Sequence, residues 1–296
     1  MSYYFESLKN NPLIISVEEL LLTKEIIDRL ASYQKGEQYI LEAVENIKKL
    51  SFFKIIYSVQ NHKVIGFLIQ PHNMNVSPCV IYNRGGSGNF SKIELERIFT
   101  DKYAKYSNWG YVTLMSQYSG NDGGEGKDEL GGNEINDVLA LRDVLSNYSF
   151  ADTDRIVMYG SSRGGTMTYL ALSKVSWVRA AVVKSGMADR FRSFNLRPQM
   201  KERAKHFFDV DSEKELVRRS AVYWADDFCK NTPVLLLHGE KDDSVSPLDS
   251  LDMSKMFLER DIPFSLVIFE GGDHSLSQYT KEEDVLVREW FTKHLK

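Results

Sequence analysis

The chain has 296 residues, 43% of them hydrophobic and 26% charged, which is enough to bury a substantial core without disulfides or a structural metal. Its formal net charge of −4 provides no basic face for phosphate backbones and excludes nucleic acid as an expected partner. No apolar stretch approaches the ~18 residues a membrane span requires, so no membrane partner is expected either.

In chain order, the first segment reads as helical. Leu20, Leu21, Ile26, Ile27 and Leu30 fit one helix, and Ile40, Leu41, Val44, Ile47 and Leu50 fit a second. Two β-type runs follow at 52–57 and 64–70, joined as a hairpin by Asn61-His62-Lys63. Beyond residue 78, short apolar runs at 79–82, 111–116, 155–159, 180–184, 234–237 and 264–269 alternate with amphipathic stretches at 93–106, 135–145, 166–174, 248–259 and 281–293. This alternation predicts an α/β fold: a mostly parallel central sheet with an antiparallel edge hairpin and helices on both faces. Residues 187–230 interrupt the rhythm with a long, charged, mainly helical stretch, read as a cap-like insertion over the sheet. The expected division is an N-terminal helical segment, 1–60, packed on a catalytic domain, 61–296.

Cys79 and Cys229 have no CxxC spacing and are expected as free thiols. Residues 1–6 lack a basic stretch followed by an apolar one, so a cytoplasmic location is the expectation.

The strongest chemical signal is Tyr159-Gly160-Ser161-Ser162-Arg163-Gly164-Gly165, a G-x-S-x-G motif directly after a strand and before a helix. A serine on such a turn has a strained backbone that small neighbours tolerate, and its Oγ is lifted out of the sheet. The same turn aims the backbone N–H of Arg163 at an oxygen that becomes negative during acyl transfer. Ser161 would sit off the apex and is the weaker nucleophile. A second strand ends at His238-Gly239, followed by Glu240-Lys241-Asp242-Asp243. The carboxyl ends of parallel strands form the functional edge of such a sheet, which suits Asp242 as an orienting acid, with Asp243 as the alternative. His238, at a strand end, is expected to be structural. The third signal is His274 in the loop Gly271-Gly272-Asp273-His274 after the last strand. The order Ser162, Asp242, His274 is that of the α/β-hydrolases.

A glycine-rich loop, Arg84-Gly85-Gly86-Ser87-Gly88, follows an early strand and would bring Gly86 N–H up as a second oxyanion donor. Neither this loop nor Gly120–Gly126 matches a phosphate-binding fingerprint, and no His, Cys or carboxylate set has metal spacing. No cofactor or metal is therefore expected.

Together, Tyr82-Asn83-Arg84-Gly85-Gly86, Ser116-Gln117-Tyr118-Ser119-Gly120, Gly160-Ser161-Ser162-Arg163-Gly164-Gly165, His238-Gly239-Glu240-Lys241-Asp242 and Gly272-Asp273-His274 resemble the catalytic domain of the prolyl oligopeptidase family of serine peptidases. The resemblance runs from about residue 64 to the C-terminus. It implies Ser162 as nucleophile, Asp242 and His274 as its partners, and the N–H groups of Arg163 and Gly86 as oxyanion contacts. Two features depart from the family. Residues 1–60 are too few for the β-propeller many members carry, and Arg84-Gly85-Gly86 stands where His-Gly-Gly is usual.

The expected activity is cleavage of an amide or ester of a small-molecule or short-peptide substrate. A carboxylesterase or thioesterase on the same scaffold is the alternative, and a non-catalytic binding module a third reading. Arg84, Tyr118, Phe191 and Trp224 are candidate substrate contacts, with Phe194, Phe207 and Phe208 as further apolar candidates. Arg190, Arg192 and Arg197 are placed to meet a substrate carboxylate. A homo-oligomer is left open, because the N-terminal helices could pack on the core, limit access or form a dimer contact.

Overall fold

A computed structural model describes residues 3–72 and 75–296. The chain opens with helix α1 (Tyr3–Lys9), strand β1 (Ile14–Leu20) and helices α2 (Lys24–Ala31) and α3 (Gly36–Asn46). Strands β2 (Leu50–Val59) and β3 (His62–Pro71) form the expected hairpin. Gln60 and Asn61 both take positive φ, 49° and 69°, the twist that matches a two-residue turn to the strands it joins.

Then come β4 (Ser77–Asn83), α4 (Asp101–Asn108), β5 (Val112–Ser116), α5 (Ile135–Ser146), β6 (Ala151–Ser161), α6 (Arg163–Leu172) and β7 (Val178–Lys184). The insertion carries α7 (Arg190–Leu196), α8 (Pro198–Ala204) and α9 (Glu213–Arg218), and the chain closes with β8 (Val234–Gly239), α10 (Pro247–Glu259), β9 (Phe264–Phe269) and α11 (Thr280–His294). No helix among the described residues is long and apolar enough to cross a membrane.

Among the described residues nine strands form one sheet in the order β1-β2-β3-β5-β4-β6-β7-β8-β9. From β1 to β5 the neighbours are antiparallel, and from β5 to β9 they are parallel. This is the α/β-hydrolase arrangement. Alternation along the central strands feeds two cores. Cys79, Ile81, Ile156 and Met158 face one core, with Met167 of α6 and Met253 of α10. Val80, Tyr82, Val157 and Tyr159 face the other, with Tyr103 of α4 and Phe291 of α11. The chain leaves β4 toward β5 and returns to β6 on the opposite side. The carboxyl ends of β4 and β6 therefore flank a topological switch point, where open α/β sheets hold their ligands.

The expectation of a helical segment over 1–60 is corrected. Those residues supply β1 and β2 to the common sheet, and a boundary at 60 falls inside the β2–β3 turn. Ile14 to Leu20 pair with Tyr57 to Phe52, and Leu20, read as helical, ends that strand. Residues 187–230 have a small apolar cluster of their own, in which Phe194, Ala204, Phe208 and Leu216 pack with Leu130.

Candidate active site

Strand β6 ends in a sharp turn with Ser162 at its apex, at φ 57° and ψ −124°, a backbone geometry that costs an L-residue free energy. Two close approaches force it. A Cβ on Gly160 would run into Gly164 O and Thr168 Oγ1, and a Cβ on Gly164 would run into Asn83 O. Only glycine lets α6 start this close to β4 and β6. Ser162 N–H donates to Lys184 O at 2.9 Å, which ties the apex to β7.

His274 reaches Ser162 from the loop after β9. Its Nε2 lies 3.0 Å from Ser162 Oγ and its Nδ1 lies 2.7 Å from Asp242 Oδ2. Because Asp242 can only accept, Nδ1 carries the hydrogen and Nε2 is left to accept from the serine hydroxyl. Asp242 Oδ1 accepts from the N–H groups of Ser244 at 2.8 Å and Val245 at 2.9 Å. His238, fully buried, places Nε2 3.0 Å from Asp242 Oδ2 and Nδ1 2.7 Å from Ser250 Oγ. Burial opposes ionisation of Asp242, but the hydrogen bonds from His238 and His274, with that from Val245 N–H, hold its carboxyl well below the usual range. Among the described residues, exposed Asp243 bonds only its neighbour Ser244, and His274 hydrogen-bonds Ser162 rather than Ser161.

A buried charge cluster fixes the glycine-rich loop above the serine. Arg163 grips Asp128 with both terminal nitrogens, at 2.9 and 2.5 Å, and also donates to Glu134 Oε1 at 2.7 Å and Gly86 O at 3.1 Å. Asp128 in turn accepts from Gly88 N–H at 3.0 Å. Gly85 passes so near the apex that a Cβ there would stand 3.4 Å from Ser162 Cβ. Motif reading used only the backbone of Arg163. The role of its side chain has only a faint sequence signal, the acids Asp128, Glu129 and Glu134 in the loop after Gly126.

Burial works against the charge on Asp128, and the Arg163 guanidinium overcomes it, holding the carboxyl down at about 2. A folded-state value below the unfolded one means that this contribution is complete above about pH 4 and is lost as pH falls toward 2. It amounts to on the order of 2 kcal/mol. Asp128→Asn is expected to remove that acid-dependent component. Denaturant midpoints at pH 5 and pH 2.5 check it, and an unchanged pH dependence in the variant would count against the pairing.

The serine, the histidine and the loop open on a cavity of about 470 Å³. Its apolar walls come from Tyr82, Phe90, Tyr103, Leu130, Met187 and Met200. Three expected substrate contacts are corrected, since none of them lines it. Tyr118 is fully buried beneath the loop and donates its hydroxyl to Arg84 O at 3.0 Å. Trp224 stacks on Phe228 and donates Nε1–H to Val217 O, facing a separate depression beside Leu170 and Lys174. Phe191 packs edge-on against Tyr223. Arg84 borders the cavity, but its guanidinium is buried and donates to the carbonyls of Gln117, Gly85 and Gly88. It clamps the loop. Arg192 is engaged by Asp249 at 2.8 Å and Asp252 at 2.5 Å, whereas Arg190 and Arg197 do line the cavity.

Residues 99–296 match the family model described as the prolyl oligopeptidase family. The chain belongs to the prolyl oligopeptidase family. Relatives include the Bacillus subtilis (strain 168) protein named uncharacterized peptidase YtmA, 27% identical over 199 residues, covering 66% of this chain and 74% of that protein. Dipeptidyl-peptidase 5 of Schizosaccharomyces pombe is 21% identical over 293 residues, covering 86% of this chain and 40% of that protein. Among solved structures, the acylaminoacyl peptidase of Pyrococcus horikoshii superposes with a TM-score of 0.72 at 19% identity, covering 86% of this chain and 43% of that one. The chain thus spans less than half the length of the latter two. Membership of the prolyl oligopeptidase family places the protein among the serine hydrolases.

Proposed function

We propose that this protein cleaves an amide bond of a small acylated or short peptidyl substrate through a serine-bound acyl intermediate. The observation that carries the reading is the chain of hydrogen bonds from Ser162 through His274 to Asp242, at 3.0 and 2.7 Å, opening on a cavity. Ser162 Oγ attacks the scissile carbonyl carbon while its proton passes to His274 Nε2. Asp242 holds the ring in the required tautomer and stabilises the imidazolium. The negative oxygen of the tetrahedral adduct is received by the N–H groups of Arg163 and Gly86. His274 then returns the proton to the departing amine. A water molecule, deprotonated by the same nitrogen, attacks the ester carbon and frees Ser162. No cofactor enters this sequence.

The peptidase reading draws on the names of the relatives, among them a dipeptidyl-peptidase and an acylaminoacyl peptidase. The free thiols of Cys79 and Cys229 suit a reducing, cytoplasmic location. Turnover of an aminoacyl-anilide against a matched simple ester, with a phosphonate probe of Ser162 alongside, is the test. Amide cleavage supports the peptidase. Ester-only turnover moves the assignment to an esterase, and failure to label Ser162 in folded protein reduces the chain to a binding module.

A further inference from the structure

Among the described residues, every charged side chain that lines the cavity, apart from the titratable His274, is basic, and no aspartate or glutamate lines it. The chain as a whole has a net charge of −4, so this is a local concentration against the overall balance. Some of these cations are compensated. Arg163 is paired with Asp128 and Glu134, and Lys184 with Glu283 at 3.0 Å. Arg84 makes no ion pair among the described residues, but its guanidinium is taken up by the carbonyls of Gln117, Gly85 and Gly88. Four further cations make none either: Arg190, Arg197 and Arg203 from the insertion, and Lys102 from α4 across the cavity.

Arg190 is the informative one. It is only 4% exposed; among the described residues its Nε has no hydrogen-bond partner, and its one side-chain hydrogen bond is a long one, Nη2 to Leu130 O at 3.3 Å. Its guanidinium lies beside the stacked rings of Phe194 and Phe208, 5.7 and 5.9 Å from their centroids. Burial, with Arg219 and Arg163 nearby, pushes its pKa down to about 9, so it still carries charge at neutral pH. Asp249 and Glu134 favour its charge only from a distance, and no carboxylate among the described residues touches it. A buried cation without a direct counter-charge is costly to hold, and a substrate carboxylate would supply one. The planar fork of arginine matches a carboxylate with two parallel hydrogen bonds.

We infer that the substrate carries a carboxylate close to its scissile bond, and that Arg190, assisted by Arg197, receives it. This rests on the hydrolase reading above. Such a site discriminates strongly against a neutral isostere, because binding it leaves the buried guanidinium unpaired. Two placements supply the same chemistry: an acidic side chain on the acyl residue, or the free carboxyl terminus of the leaving residue.

Two matched pairs separate them. The first is N-acetyl-glutamyl against N-acetyl-glutaminyl 4-nitroanilide. The second is acetyl-alanyl-alanine against its C-terminal amide. We expect at least a tenfold preference in kcat/KM for the carboxylate member of one pair. The preference should weaken with added salt, fall toward unity in Arg190→Gln, and survive in part in Arg190→Lys. The same four compounds titrated into Ser162→Ala by calorimetry give the preference as binding where turnover is slow. A preference below tenfold in both pairs, in turnover and in binding, would overturn the inference. So would a preference that Arg190→Gln leaves untouched in a variant that melts like the parent. Phosphonate labelling of Ser162 without carboxylate preference would sink this inference alone. Carboxylate binding without labelling would sink the hydrolase reading instead.

Discussion

Replacing Ser162 with alanine is expected to lower amide and ester turnover by on the order of 10⁶, leaving the residual rate that an oxyanion site and binding provide. The loss is that large because His274 has no other hydroxyl to activate: its Nε2 meets only Ser162 Oγ, at 3.0 Å. The fold should be unaffected, since among the described residues Oγ makes no other hydrogen bond and the apex is held by its backbone, N–H to Lys184 O and carbonyl to Gly165 N–H, each at 2.9 Å. Glycine at the same position should be as inactive and more stable, because φ of 57° with ψ of −124° costs an L-residue about 1–3 kcal/mol and glycine little. Single-turnover kinetics and thermal melting of the two variants check both statements. Residual turnover above a hundredth of the parent would remove Ser162 from the nucleophile's role.

Asp242→Asn carries the second large effect, a drop of about 10⁴ in turnover. An asparagine is nearly the same size, so the loss comes from hydrogen-bond direction. Both carboxylate oxygens face only donors: Ser244 and Val245 N–H on Oδ1, and the ring N–H groups of His274 and His238 on Oδ2. Whichever way an amide turns, its NH₂ meets two of these donors head-on. Directed at the histidines, it drives His274 into the tautomer that cannot accept a proton from Ser162. Directed at the loop, it breaks the turn at 244–245. Either mismatch leaves buried donors unpaired, at about 1–3 kcal/mol of stability. A steady-state kcat within tenfold of the parent, with an unchanged melting temperature, would show that Asp242 does not orient the ring.

What the sequence conveyed and what it withheld follow from how each signal is encoded. The hydrolase core was legible because strand ends and chemistry coincide: Ser162, Asp242 and His274 each sit just past a run of apolar residues, and β4, β6, β8 and β9 fall on those runs. Strand β1 was not, because its half-exposed ISVEE stretch has weak alternation and passes directly into Leu20-Leu21-Leu22, which helical spacing also accommodates. The cluster around Arg163 escaped for another reason. Its partners lie 35 and 29 residues upstream, in a loop without periodicity, so no local pattern links them. Tyr118, Phe191 and Trp224 have the residue type of a substrate contact and lie in segments near the site. Their direction is set by the packing of the loop and the insertion, which composition does not encode.

The outermost strand has a consequence for how the molecule behaves in a crowd. Strand β1 closes one margin of the nine-stranded sheet, and its outer line of N–H and C=O groups is a template onto which another chain could add. It carries adjacent glutamates, Glu18 and Glu19, and its register is broken between Ile14 and Ser16. A second copy docking there would set carboxylate against carboxylate along a strand that does not run true. The extra strand thus blunts the open margin that the β2–β3 hairpin would otherwise present, and guards a sheet of this width against growing from molecule to molecule.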